Sequence, residues 1–152
     1  MANTAETLGL KRTSWVPEHW DENQISVWRC VDEHWDLLIK KQVDEFIKYI
    51  HPDMMGYGHE SPIPVDRPWL FKWVGFWTAS TNIAICELRP TQIKIHGDIA
   101  ILQYLIFTVE INAEGGKRVI RRYTMTWKKT AQPGYPAWQV IGSHNNLMDE
   151  RV

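Results

Sequence analysis

Ile25, Trp28, Val31, Trp35 and Leu38 are spaced 3, 3, 4 and 3 residues apart. That is the period of a helix with one apolar stripe, and it predicts a helix over residues 21–41. Asp21 marks its start after Pro17, and Lys40-Lys41 its end, where positive charge meets the negative end of the helix dipole. Val43, Phe46, Ile47 and Ile50 predict a second, short helix over 42–50, stopped by His51-Pro52. Gly56 and Gly58 suggest that 54–61 holds a brief strand at a close backbone approach. Asp66 is a good N-cap, and Pro68 falls early enough for a first turn. The helix it opens, to about residue 78, carries Trp69, Phe71, Trp73, Phe76 and Trp77 almost all round, which predicts burial on more than one side.

Beyond residue 80 the pattern changes to strands. They are predicted over 83–95, with Pro90 at a bulge or edge, then over 99–111, 117–129 and 138–146. The His96-Gly97-Asp98 turn, a turn over 113–116 and a loop over 132–136 separate them. Helices followed by strands predict an α+β domain in which helices cover one face of a curved antiparallel sheet and leave a pocket. The domain is placed at 21–147, after an N-terminal arm over 1–20 and before a polar tail over 148–152. The strands carry more large apolar residues than three helices can cover, so a homodimer that buries a sheet face is expected.

The 152 residues suffice for one domain with a core. Net charge is −1, and the longest basic runs, Arg121-Arg122 and Lys128-Lys129, are too short for a nucleic-acid footprint. No apolar run approaches the ~18 residues of a membrane span. The first residues lack the apolar core of a secretory signal, and the expected location is cytoplasmic. Cys30 and Cys86 lie in apolar segments outside any paired motif and read as buried free thiols. No His/Cys/Asp spacing matches a zinc site, so neither metal nor cofactor is expected. Nine tryptophans are many for this length. Most are expected in the core, and some could line a cavity or an interface.

Four stretches resemble the nuclear transport factor 2-like superfamily, a cone-shaped, cystatin-like α+β fold. They are Phe46-Ile47-Lys48-Tyr49-Ile50-His51-Pro52-Asp53, Val65-Asp66 ahead of the aromatic helix, Gln92 to Ala100 around the Gly97-Asp98 turn, and Trp138-Gln139-Val140-Ile141-Gly142-Ser143-His144. The superfamily includes ketosteroid isomerases, SnoaL-like cyclases and dehydratases, and the association domain of calcium/calmodulin-dependent protein kinase. The resemblance implies the fold and leaves the activity open. The isomerases' tyrosine donor falls on or near His34, and their catalytic aspartate on Gly58 or His59, so this chain departs from that pair at both positions.

The candidate acid/base residues are His34, His59, Glu60, Tyr123 and His144. His34 sits on the apolar side of the first helix as a general acid or base, or as a satisfied buried histidine. His59 and Glu60 fall where the resemblance puts the pocket mouth, and as strand neighbours only one would face inward. The family often carries a histidine on its closing strand, so His34 and His144 are expected to face one cavity. Candidate ligand-binding residues are Trp35, Trp73, Tyr104, Glu110, Arg121 and Trp127. Tyr104, Thr108 and Glu110 share one face of the long strand; Arg121, Tyr123, Met125 and Trp127 share one face of the next. There Arg121 would bind an anion, or else face solvent. The expected function is cofactor-free acid/base chemistry, as in an isomerase, dehydratase or cyclase, on a small, largely apolar ligand. The alternative is a non-catalytic ligand-binding or homo-oligomerisation module.

Overall fold

Asp21 opens the first long helix through a reciprocal cap. Its carboxylate accepts from the Gln24 backbone N–H at 2.9 Å, and the Gln24 side chain accepts from the Asp21 N–H at 3.0 Å. This is helix α1 (Glu22–Ile39) in a computed structural model that describes residues 11–14 and 16–152. Lys41 closes α1 in a left-handed conformation, φ 61°. Helix α2 (Val43–Phe46) and a 3₁₀ turn (Ile47–Tyr49) follow. Helix α3 (Arg67–Ser80) is capped by Asp66, which accepts from the Trp69 N–H at 2.9 Å, with Pro68 in the first turn. The strands are β1 (Lys11–Ser14), β2 (Ile50–Tyr57), β3 (Val65–Asp66), β4 (Asn82–His96), β5 (Ile99–Asn112), β6 (Gly115–Lys129) and β7 (Trp138–Arg151).

The seven strands of the described residues form one curved, open sheet in the order β1-β4-β5-β6-β7-β2-β3. The α+β architecture is therefore as expected, with one difference. The four strands after residue 80 are antiparallel, but β1 joins β4 and β2 joins β7 in parallel, so the sheet is mixed. The edge strands come from the chain ahead of α1 and α3, and those helices carry it across before the sheet continues. Two further differences lie at the ends. The segment 11–14, read as part of a loose arm, pairs with β4, and Ser14 Oγ accepts from the Trp28 indole at 3.0 Å. The remaining arm residues 1–10 and Trp15 lie outside the described residues. The polar tail extends β7 to Arg151, because β6 starts at Gly115 and offers backbone partners that far.

Val27, Trp28, Val31, Trp35 and Leu38 of α1 pack on Leu88, Leu102, Tyr104, Ile106 and Trp127 of the sheet. Cys30 and Cys86 are both buried free thiols, and burial pushes Cys30 up to about 11. At pH 8 only about one Cys30 thiol in a thousand is then ionised, and thiolate is the nucleophile. A thiol-reactive dye added to folded protein at pH 8 should label neither cysteine within minutes, and both after denaturation. Rapid labelling of Cys30 in the folded state would contradict this packing.

Gly56 is the close approach foreseen on the short strand. A Cβ there would lie 2.0 Å from the Ser143 carbonyl oxygen on β7, so β2 can reach β7 only with glycine at this position. Gly56→Ala should cost about 2–4 kcal/mol, because the added Cβ is fixed to its own backbone and the Ser143 atoms it meets are backbone, so neither can rotate away. Urea unfolding measures this; a midpoint unchanged from wild type would show that β2 does not seat as described.

Candidate functional site

The concave side of the sheet and the three helices enclose a cavity of about 820 Å³ measured out to its open mouth. Its walls are mainly aromatic and aliphatic. Helix α1 gives His34, Trp35 and Leu38, and helix α3 gives Trp69, Trp73 and Trp77. The last three recur every four residues and stack as a ladder, with ring centroids 6.2 and 5.8 Å apart and planes within 11°. They are half-buried, with ring surface left toward the cavity.

Polar groups meet at one end. Arg121 on β6 is buried, and its Nη1 donates to Glu110 Oε1 at 2.5 Å, while Nη2 lies 3.4 Å from Glu60 Oε1. Thr108 Oγ1 donates to the same Glu110 oxygen at 3.0 Å. Burial opposes a charge on Arg121, but Tyr123 and the carboxylates Glu110 and Glu60 hold its pKa above the ordinary value. Glu60 Oε1 also sits 3.1 Å from His59 Nε2. Asn145 Oδ1 accepts from the His59 backbone N–H at 3.2 Å and lies 2.7 Å from His59 Nδ1. A chain of contacts thus runs Glu110–Arg121–Glu60–His59–Asn145. It fixes one oxygen of Glu60 and leaves Oε2 without a hydrogen-bond partner among the described residues.

Tyr123 lines the cavity beside this chain. Its ring stacks on Tyr104 at 5.0 Å and meets Trp35 edge-on at 5.9 Å. Burial, aided by Glu60 and Glu110 against the opposing pull of Arg121, raises its phenol pKa, so Tyr123 stays a proton donor near neutral pH.

His34, Glu60, Tyr123, Trp35, Trp73 and Arg121 are the predicted site residues that line this cavity. His34 is deep in the wall, between Phe46 and Trp127, with Nδ1 on the Val31 carbonyl oxygen, which can only accept; Nδ1 therefore carries hydrogen. Of the His59-Glu60 pair, Glu60 lines the cavity and His59 stands behind it.

The other predicted residues lie elsewhere. His144 is exposed on the opposite face of the sheet, 6.5 Å from the Tyr57 ring and beside Arg122 and Thr124. The expected meeting of His34 and His144 does not occur, and the reason is a β-bulge. Trp127 pairs with Val140 and Thr126 with Gly142, so Ile141 is an extra residue. Alternation from Val140 would turn His144 inward; the bulge reverses the phase and turns Ser143 and Asn145 inward instead. Tyr104 is fully buried, and its hydroxyl accepts from the Trp35 indole at 2.9 Å, so it positions Trp35 from behind. Trp127 is fully buried against His34 and is not on the wall. Glu110 is buried behind Arg121. Arg121 itself is not solvent-facing, and its guanidinium is already occupied by carboxylates. Asn145, Trp69 and Trp77 were missed by sequence reasoning. The spacing of 69, 73 and 77 could have revealed the ladder; Asn145 becomes visible only once the bulge is known.

Among the described residues, no three His, Cys, Asp or Glu side chains gather as a metal-ligand set. No helix of the described chain is long and apolar enough to cross a membrane.

No protein-family model matches the chain, and no curated protein matches it. Solved structures do. A ketosteroid isomerase-like protein from Erwinia carotovora atroseptica SCRI1043 is 11% identical, with a TM-score of 0.72 over 86% of this chain and 99% of that one. The calcium/calmodulin-dependent protein kinase II hub of S. rosetta is 17% identical, with a TM-score of 0.68 over 88% of this chain and 100% of that one. A nuclear transport factor 2-like protein from Cytophaga hutchinsonii ATCC 33406 is 14% identical, with a TM-score of 0.66 over 85% of this chain and 100% of that one. With this strand order, these helices and these structural neighbours, the chain has the fold of the nuclear transport factor 2-like superfamily.

Proposed function

We propose that this protein is a cofactor-free acid/base enzyme acting on a small, largely apolar molecule held in the cavity. The observation that carries the reading is Glu60. Its carboxylate stands on the wall of a largely apolar cavity with one oxygen held by His59 and Arg121, and Tyr123 offers a protonated phenol on the same wall. A carboxylate with one oxygen fixed is suited to take a proton from carbon and return it elsewhere. A phenol in a dry site stabilises the oxyanion formed when that carbon lies next to a carbonyl. Proton transfer of this kind serves isomerisation, dehydration and cyclisation alike. His34 supplies a further titratable group at the deep end.

A second reading is kept on a separate observation. The convex sheet face exposes Ile85 and Ile101, 42% and 43% accessible, beside half-buried Leu105, Phe107, Val109 and Ile120. Such a face suits a homodimer, and one of the similar structures is a kinase hub. The protein would then be an oligomerisation or ligand-binding module.

The two readings are separated by assaying wild type and Glu60→Gln on a panel of enolisable ketones and β-hydroxy ketones, with light scattering on both. The enzyme reading expects turnover in wild type that is lost in Glu60→Gln at unchanged mass. Equal rates in the two proteins, at or near the uncatalysed rate, leave only the binding or assembly role. For the assembly itself, Ile101→Lys is expected to convert a dimer to a monomer at micromolar concentration; a wild type that is already monomeric there contradicts the dimer.

A further inference from the structure

We infer that the cavity takes a flat apolar molecule carrying a protonated amine, with its rings against the Trp69-Trp73-Trp77 ladder and its ammonium group at Glu60. The inference rests on reading the cavity as a ligand site, with Glu60 holding the ammonium group in place of taking a proton from carbon, and names the class of ligand.

The first argument is the loss of the expected anion partner. Among the described residues Arg121 is the one arginine or lysine on the wall. Glu110 takes Nη1, and Glu60 faces Nη2. A ligand carboxylate or phosphate would have to displace Glu60 from Nη2 or Glu110 from Nη1, and displacing Glu110 would leave a carboxylate buried and unpaired. The group contains two carboxylates and one guanidinium. Even with the His59 ring counted as a cation it carries no net positive charge, so an anion gains nothing by entering.

The second argument is the acceptor. Glu60 Oε1 is shared by His59 and Arg121, which leaves Oε2 as a charged acceptor on the cavity wall. The Glu60 side chain is 37% accessible and so stands at the mouth rather than the floor. An ammonium group there keeps part of its hydration while the body of the ligand is buried, which limits the cost of taking a charge out of water.

The third argument is the wall itself. Three parallel indoles, with Trp35 and Tyr123 on other sides, give the cavity a broad aromatic wall against which flat rings can pack. A neutral alcohol of the same shape could pack on this wall and hydrogen-bond to Glu60, but would not gain the ion pair.

Isothermal titration calorimetry with three ligands on one ring system tests this: naphthylethylamine, naphthylethanol and naphthylacetate. The amine is expected to bind at least about tenfold more tightly than the alcohol, and the acetate most weakly. Glu60→Gln should bring the amine down to the level of the alcohol and leave the alcohol unchanged. Glu60→Lys should reverse the order of amine and acetate. Acetate binding as tightly as the amine, or an amine preference that survives Glu60→Gln, overturns the inference. Trp73→Leu separates this result from the reading beneath it. If naphthylethanol binds wild type and is weakened by Trp73→Leu, the cavity is a ligand site whatever its charge preference. If none of the three binds, the ligand-site reading falls together with the amine.

Discussion

Arg121→Met should destabilise the protein by about 3–5 kcal/mol, the cost usually found when one partner of a buried ion pair is removed. The corresponding drop in Tm is on the order of 10 °C for a domain of this size. Glu110 is 3% exposed and Arg121 6% exposed, so neither has water to fall back on. Methionine fills much of the space of the arginine stem but leaves Glu110 with only Thr108 as a hydrogen-bond donor among the described residues. The carboxylate must then stay charged and unpaired or take up a proton, and both cost free energy. Removing both charges tests the cause. Arg121→Met combined with Glu110→Leu should recover most of the loss, because a buried pair replaced by apolar groups of similar volume is often neutral. If the double variant is as unstable as the sum of the two single ones, the loss is one of packing and the ion pair is not its source.

Glu60→Gln should lower kcat by roughly 10² to 10⁴, the range over which a positioned general acid or base contributes. Its stability should change little, since the side chain is 37% accessible and its contacts with His59 and Arg121 lie near the mouth. Glutamine keeps an oxygen for those contacts and removes the basic one. Tyr123→Phe should lower kcat by about 10² to 10³, as loss of one oxyanion donor does. It keeps the ring that stacks on Tyr104, so its Tm should stay within a few degrees of wild type. Loss of activity in step with loss of fold in either variant would assign these residues to structure.

Much of the fold can be read from the chain because local rules agree with the tertiary result. The caps at Asp21 and Asp66, the stripe of α1 and the alternation of β5 each specify one arrangement. Pro90 foretold the bulge in β4, where Thr91 is the extra residue between Pro90 and Gln92. The bulge in β7 is marked only by Gly142 beside the extra residue Ile141, a glycine that could equally sit in a regular strand, and it decides whether His144 or Asn145 faces the cavity. The parallel edges were hidden for a different reason. Parallel pairing joins segments far apart in the chain, and no turn signals it. The role of Arg121 depended on register as well. Arg121 pairs with Ile106, and its side chain reaches along β5 to Thr108 and Glu110 on the same face. That reach is visible only when β5 and β6 are aligned. The tryptophan spacing was plain in the sequence, yet a helix apolar on nearly every side reads as buried; only the structure shows three of its rings turned toward a cavity.

Proton transfer by Glu60 to and from carbon inside the cavity can be followed directly. Solvent deuterium incorporation tests it without knowledge of the natural substrate. An enolisable aryl ketone is incubated in D₂O with wild type, Glu60→Gln or Tyr123→Phe, and exchange at the carbon beside the carbonyl is followed by proton NMR. Exchange is expected well above the buffer rate with wild type, near the buffer rate with Glu60→Gln, and intermediate with Tyr123→Phe. Exchange by Glu60→Gln as fast as by wild type, with the ketone shown to bind both, would contradict it.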